Sequence, residues 1–179
     1  MASSPLASQI QNRNFLSPIA FEFNIIRYPK ITFFCNSVKL PELTLPTITQ
    51  PSYLKDIDVA GNKLEYGDLT IKFLVDEDMV NYISLHNWIT GIGFPETTEQ
   101  YETLITNVDG VQDPLIQFSD GVLKILNSNY NSNVTVIFKD LYPTSLTPLE
   151  FSADLQDIKY FTAQATFKYT IYNIKSKKG

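Results

Sequence analysis

The sequence has little of what most catalytic sites are made of. Its 179 residues include one histidine, one cysteine and one tryptophan. A zinc site of the usual kind needs several histidine or cysteine ligands, and a serine hydrolase of the Gly-x-Ser-x-Gly type needs that motif together with a histidine. The sequence contains no such motif. We therefore predict that the protein is not an enzyme and holds no metal and no cofactor.

The sequence also lacks the features of proteins that span membranes, contain disulfides or bind phosphate groups. The sequence has no run of about 18 apolar residues that would span a membrane. The single cysteine, Cys35, excludes an internal disulfide and fits a reducing compartment. A net charge of −5 argues against a general phosphate-binding surface. Hydrophobic residues make up 44% of the chain, which is enough for one core. We divide the chain into an N-terminal arm (1–14), one β domain (15–174) and a basic C-terminal tail (175–179).

The stretch LTIKFLVDEDMVNYISLHNWITGIG, residues 69–93, changes its hydrophobic period in the middle. Apolar residues alternate up to Val75, which predicts a strand, and then recur at helical spacing, which predicts a helix at about 77–90. Asp76 is a good N-cap, and Gly91 and Gly93 supply the stop. The helix should pack on the sheet through one apolar arc. The residues of this arc are Met79, Tyr82, Ile83, Leu85, His86, Ile89 and Ile92.

Val80 and Trp88 fall outside that arc, and two interpretations of Trp88 are open. Either the buried arc is wider, or Trp88 is an anchor at a subunit or partner interface, where tryptophan is enriched. Val80 is a candidate residue of the same interface. His86 lies in the arc and is expected to be a packed histidine instead of a ligand. The acids of DEDMVNY are better explained as the start of a capped helix than as a metal site.

Most of the remaining chain alternates as strands do. Phe21–Ile25 and the segment 31–35 are expected to pair as a hairpin around the turn RYPK. Asp120-Gly121 lies between two apolar runs and predicts another hairpin. Residues 127–133 predict a loop, and residues 158–172 predict one long strand. Six to eight strands with one clear helix predict a mainly β antiparallel sandwich or barrel with extended arms.

The segment 45–68 is the most irregular part of the chain. It follows Pro41 and contains Pro46 and Pro51, and this density of prolines favours an extended arm or edge segments over central strands. Long irregular connections are often functional. We expect this arm to become ordered against a neighbouring subunit, with Pro46, Pro51 and Tyr53 at the interface.

The strand-to-helix unit resembles that of the tail tube family of contractile-tailed, T-even-like bacteriophages. LTIKFLVDEDMVNYISLHNWITG is similar to a family strand of the type VRFIVDEE that runs into a helix with an Asn-Trp element. SVKLPELTLP (37–46) and FKDLYPTSLTPLEFS (138–152) resemble two further family segments in the same order. The resemblance is closest to tail completion and sheath stabiliser proteins, which terminate the tube. The segment DIDVAGNKLEYGDLTI is also similar to main tube subunits.

The resemblance implies a structural virion protein with a tail-tube-like sandwich or barrel flanked by one helix. It implies a homo-hexameric ring that contacts the tail tube protein and a sheath terminator or neck protein. Double-stranded DNA would pass through the lumen without sequence-specific binding, and assembly would occur in the host cytoplasm without a membrane. The net charge of −5 suits a conduit because a negative wall repels phosphates.

Two other functions are weighed against a terminator. A main tube subunit shares the fold but stacks into open tubes, whereas a terminator needs a face that stops growth. The polar segments 96–112 and 127–133 are candidates for that face. A more distant alternative is a soluble β-sandwich module that binds a small ligand or peptide. Such a module could be a monomer, whereas a tube protein needs ring contacts, so the oligomeric state distinguishes the two.

Overall fold

A computed structural model of the chain describes residues 16–28, 34–106, 114–152 and 160–176. The first five strands are β1 (Phe21–Ile25), β2 (Cys35–Lys39), β3 (Leu43–Thr44), β4 (Thr47–Gln50) and β5 (Ile57–Ala60). The others are β6 (Glu65–Tyr66), β7 (Leu69–Leu74), β8 (Ser119–Leu126), β9 (Ser132–Leu146), β10 (Thr162–Lys168) and β11 (Ile171–Ser176). The helices are α1 (Val80–Gly93) and α2 (Thr98–Ile105), with a 3-10 helix at Pro114–Gln117. The predicted mainly β class is confirmed, and α2 is a helix that the sequence did not predict.

The central feature is a seven-stranded antiparallel sheet in which β9 belongs to two halves. The strand order is β1-β8-β9-β10-β7-β2, with β11 also paired to β9. The first part of β9 pairs with β8 and β11, whereas its last residues pair with β10. Asp140 lies close to the junction of these parts and has a φ of 55°, a left-handed conformation that is uncommon within a strand. Side chains from both halves meet in one core.

The core is built from the inward residues of both halves, from α1 and from Leu104 of α2. β7 shows the pattern most clearly, because Leu69, Ile71 and Phe73 are fully buried and alternate with more exposed residues. α1 adds Leu85 and Trp88, which are also fully buried. The remaining members of the buried cluster are Phe23, Ile25, Leu104, Leu123, Val136, Phe138, Leu141, Ala163, Ala165 and Phe167.

The predicted strand pairings were partly wrong. β1 pairs with β8 and β2 pairs with β7, so the first two strands do not form a hairpin; residues 29–33 lie outside the described residues. Asp120-Gly121 lies inside β8, where the register shifts between Ser119 and Gly121. A turn-type dipeptide also suits a β-bulge, because both need local departures from a regular ladder. The loop predicted at 127–133 joins β8 to β9 but is shorter, at 127–131, because Ser132 and Asn133 belong to β9.

The long strand predicted at 158–172 is also wrong in its bounds. Residues 153–159 lie outside the described residues, and the alternating segment divides into β10 and β11 at Tyr169 and Thr170. The 15-residue strand is β9 instead, and β10 and β11 run antiparallel along it. Lys175 lies in β11 and pairs with Thr135 of β9. The predicted basic tail therefore begins inside a strand.

Helix α1 begins three residues later than predicted, and its buried face differs. Its buried residues are Asn81, Leu85, Trp88 and Gly91. Ile83 is 48% exposed, and His86 is exposed as well. A face that includes an asparagine and a glycine is not visible to a hydrophobic count, and this explains the error. Gly91 does not stop the helix, since α1 continues to Gly93.

Candidate assembly surfaces

A long hairpin, residues 40–68, extends from the β2–β7 ladder. Strand β3 pairs with β6, and farther out β4 pairs with β5. The Gly67 N–H donates to the Glu42 carbonyl oxygen at 2.9 Å, and the Gly61 N–H donates to the Pro46 carbonyl oxygen at 2.9 Å. A Cβ at residue 61 would overlap that carbonyl oxygen, so only glycine fits there.

The outer part of the long hairpin has one apolar face that the described residues do not cover. Ile48 lies opposite Val59, and Gln50 lies opposite Ile57, so these four side chains share one face. Ile48, Val59 and Ile57 are 64%, 45% and 55% exposed, respectively. The opposite face is polar, and there the Thr49 hydroxyl donates to Asp58 Oδ1 at 3.3 Å. Exposed apolar patches of this kind mark interaction surfaces.

The tip of the long hairpin joins β4 to β5 and is fully open to solvent. Tyr53 is 100% exposed and Leu54 is 92% exposed. Pro51 begins the tip and is exposed, whereas Pro46 lies at the start of β4 and is half-buried. The structure therefore brings Pro46, Pro51 and Tyr53 together on one element. Leu54 and the apolar face were missed, although the alternation of Ile57 and Val59 was a signal for the face.

Trp88 and Val80, the other two predicted interface residues, lie on α1. Trp88 is fully buried, and its Nε1–H donates to the Gln117 carbonyl oxygen at 2.8 Å. Its ring centroid lies 5.0 Å from that of Tyr28. Trp88 is therefore not a surface anchor of the subunit, and the buried arc of α1 is shifted toward it instead of widened, because Ile83 and His86 are exposed. Val80 is the first residue of α1 and is half-buried.

An apolar groove lies at the end of β7 that is farther from the long hairpin. We call it the β7 groove, and its volume is about 620 Å³. Phe151 and Tyr160 in its wall are 73% and 81% exposed. The exposed acid Glu77 lies on its rim. Its full lining is Phe34, Leu74, Val75, Asp76, Glu77, Met79, Leu149, Phe151, Tyr160 and Phe161. No sequence pattern indicated it, because its residues come from three distant segments.

Asn81 holds the junction between β7 and α1 beside this groove. It is fully buried, and its Nδ2–H donates to the Leu74 carbonyl oxygen at 2.7 Å. Its Oδ1 accepts from the Tyr82 N–H at 2.8 Å. Asp76 Oδ1 accepts from the Asn81 N–H at 3.4 Å, but the N-cap is Met79, whose φ is 54°. Asp76, the predicted N-cap, therefore stabilises the turn before the helix instead of capping it. The role of Asn81 was not predicted from the sequence.

The side-chain chemistry of the described residues is structural. Burial raises the pKa of the Cys35 thiol to about 11, against a smaller lowering effect of the Ser37 backbone, so the thiol stays protonated near neutral pH. Burial also raises the pKa of Tyr169 to about 12, with Tyr172 adding to the effect. Within the described ranges no group of three metal-ligating side chains occurs. No helix among these residues has the length and apolar character to cross a membrane.

The outer edge of β11 is a further surface available for assembly. In the described part of the chain β11 pairs with β9 alone, and most of its residues are exposed. Ile174 in this strand is 57% exposed. A strand with an unpaired edge can pair with a strand of another subunit.

Comparisons with known proteins agree with the mainly β architecture. A family model described as phage tail tube protein matches residues 6–175. The tail tube terminator protein of Enterobacteria phage T4 is 26% identical over 148 residues, which are 80% of this chain and 78% of that protein.

Two solved structures share the fold. The tube terminating cap of the anti-feeding prophage has a TM-score of 0.65 at 14% identity, covering 97% of this chain and 99% of that chain. A chain of the sheath-tube complex of the PVC extracellular contractile injection system has a TM-score of 0.63 at 16% identity, covering 98% and 99%.

These findings confirm the resemblance predicted from the strand-to-helix unit. Tail tube and terminator proteins are structural components, so the prediction that the chain is not an enzyme is confirmed by its relatives. Because the family model spans nearly all of the sequence, the chain belongs to the phage tail tube protein family.

Proposed function

We propose that this protein is the tail tube terminator of a contractile phage tail. The observation that carries this proposal is the match to the T4 tail tube terminator over 80% of this chain and 78% of that protein. A match over most of both chains supports a shared role more strongly than a shared fold does. The fold alone does not choose between a tube subunit and a terminator, because the chain of the sheath-tube complex and the terminating cap have TM-scores of 0.63 and 0.65.

The terminator acts as a homo-hexameric ring on the last ring of the tail tube. Two surfaces support assembly: the outer edge of β11, a strand that pairs with β9 alone among the described residues, and the apolar face of the long hairpin. Six copies of a chain with a charge of −5 carry −30, and this charge keeps DNA moving through the lumen by repelling its phosphates. The ring contacts the tail tube protein on one side and a sheath terminator or neck protein on the other. It assembles in the host cytoplasm and stays in the virion.

A terminator needs one face that does not match its own opposite face, because heterologous contacts otherwise propagate. The loop at 127–133 is a candidate for the blocking face, and Tyr130 in it is 78% exposed. The segment 96–112 is a weaker candidate than its composition indicated. It contains α2, which buries Leu104 and Ile105 instead of presenting a wholly polar surface, and residues 107–112 lie outside the described residues.

Electron microscopy of the purified protein tests the terminator role. We expect single rings, or two rings that meet by like faces, and we expect added protein to stop the growth of tubes from tail tube subunits. Long, regularly stacked tubes formed by this protein alone would overturn the proposal. They would establish the second candidate, a main tube subunit, which shares this fold.

A further inference from the structure

We propose that the β7 groove of each subunit receives the tip of the long hairpin from a second copy of this chain, and that this contact closes the ring. The inference rests on the proposed function, since it requires a ring. The occupant is defined by three residues of the tip, Tyr53, Leu54 and Lys55. The groove and the tip complement each other in position, in apolar character and in charge.

Position requires that the two surfaces belong to different copies. The long hairpin leaves the sheet before Leu69, whereas the β7 groove begins at Leu74. The six residues of β7 separate them by about 20 Å, and the hairpin leads farther away. A contact between two different surfaces of identical chains is heterologous, and such contacts form a ring when the rotation closes.

Apolar character supports the fit. The tip presents Tyr53 and Leu54, which are 100% and 92% exposed, so the described part of their own subunit gives them almost no cover. The β7 groove is walled mainly by aromatic and aliphatic side chains, among them Phe151 and Phe161. Its volume of about 620 Å³ is within the range that encloses groups of small-molecule size. An aromatic anchor in such a pocket is a common centre of an interface.

Charge sets the orientation of the tip. Lys55 follows the apolar pair, and the acids Asp76 and Glu77 lie on the groove rim. Asp76 already accepts a hydrogen bond from the Asn81 N–H. Glu77 is exposed and has no salt bridge among the described residues, so it is the partner for Lys55. Asp56 follows Lys55, and only an orientation that turns Asp56 outward is favourable. Rim ion pairs of this type guide orientation more than they add affinity.

Cysteine cross-linking tests the contact directly. In a Cys35→Ser background, Leu54→Cys and Phe151→Cys in one chain should give, on oxidation, a ladder of covalent oligomers that ends at the mass of the ring. The two substitutions on separate, mixed chains should give dimers only. The matched control pairs Leu54→Cys with Tyr130→Cys, whose site is 78% exposed on another loop, and should give no ladder. Native mass spectrometry under reducing conditions establishes the ring in each variant.

Each result decides the proposal. Intact rings without cross-links would overturn it and leave the terminator role standing. A ladder that passes the mass of one ring would place the contact between rings and overturn ring closure. If the unmodified protein forms no ring, the proposed function fails first and this contact fails with it.

A charge exchange covers the case in which the cysteine variants do not assemble. Lys55→Glu should weaken ring formation by about two- to five-fold in Kd, as expected for loss of an exposed ion pair and the new repulsion. Glu77→Lys should do the same, and the double exchange should restore the original Kd. Lys63→Glu, at an exposed position of the same hairpin away from its tip, is the control. Failure of the double exchange to restore assembly would contradict the proposal.

Discussion

Strand β7 and the outer part of the long hairpin have the same chemistry but opposite surroundings. In β7, Ile71 and Phe73 are fully buried. In the hairpin, Ile48 and Val59 lie directly opposite each other and are 64% and 45% exposed. Apolar alternation therefore predicts that one face of a strand will be covered. It does not show whether the same chain or a second subunit covers that face. We infer that the body covers its own faces, and that the hairpin is covered on assembly.

The difference has an energetic consequence. A two-stranded ribbon is at best marginally stable alone in water, whereas the body places its inward residues and α1 around one core. Body substitutions should change the unfolding of the isolated subunit, and hairpin substitutions should change assembly. The predictions below test this separation.

The largest effect is expected at Trp88. Trp88→Ala should lower the free energy of unfolding of the subunit by about 3–5 kcal/mol, because it removes a fully buried ring and leaves a cavity. Tyr53→Ala should change it by less than about 0.5 kcal/mol, as for an exposed site. Urea unfolding of the dissociated subunit measures both. Similar losses for the two variants would remove the distinction between body and hairpin.

A smaller loss is expected at Asn81. Asn81→Ala should destabilise the subunit by about 1–3 kcal/mol, because the Leu74 carbonyl oxygen and the Tyr82 N–H lose a buried partner. Asn129→Ala, in the exposed turn after β8, is the control and should stay within about 0.5 kcal/mol. The comparison uses the same urea unfolding assay. An unchanged midpoint for Asn81→Ala would show that this junction does not hold α1 on the sheet.

The two glycines at the end of α1 offer a matched pair. A Cβ on Gly91 would lie 3.0 Å from Leu104 Cβ in α2, so Gly91→Ala should destabilise by about 1 kcal/mol or more through overpacking. No described atom lies within 4 Å of a Cβ on Gly93. Gly93→Ala should therefore be neutral or stabilise by up to about 1 kcal/mol through helix propensity. Thermal melting ranks the two variants, and the opposite order would contradict the α1–α2 contact.

The smallest effect concerns pH and Cys35. Because burial raises the pKa of this thiol from 9.0 to about 11, its contribution to stability is complete below pH 9 and is lost as the pH rises toward 11. Thiolate absorbance should show a midpoint near pH 11 in the folded protein and near 9.0 in denaturant. Cys35→Ser provides the blank. A folded midpoint at the ordinary value would show that water reaches the thiol.

Several features could be predicted from the sequence because they depend on local pattern. The alternation around Phe23, the strand at Leu69 and the helix that follows it are examples, and so is the loop at 127–133. The pairing partners of the strands were not predictable from local pattern, because β1 pairs with β8, which lies about a hundred residues away in the sequence. The face of α1 was misjudged because the hydrogen bonds of Asn81 and the close approach at Gly91 depend on tertiary neighbours.

The residues of the candidate surfaces were likewise predictable only where a local sequence pattern marked them. Pro51 and Tyr53 were predicted because prolines and polar residues marked the segment as an arm. The β7 groove was not, since Phe34, Val75 and Phe151 meet only in the folded chain. Trp88 was ambiguous because its helical position alone did not show that Gln117 and Tyr28 lie beside it.

Hydrogen exchange of the protein below and above its assembly concentration tests the separation of body and hairpin most directly. We expect β7, β9 and β10 to be equally protected in both states. We expect β4 and β5 to exchange rapidly in the dissociated subunit and to become protected in the ring, because only a neighbour covers their apolar face. Equal, strong protection of β4 and β5 in both states would contradict the account, since the hairpin would then be stable without a second chain.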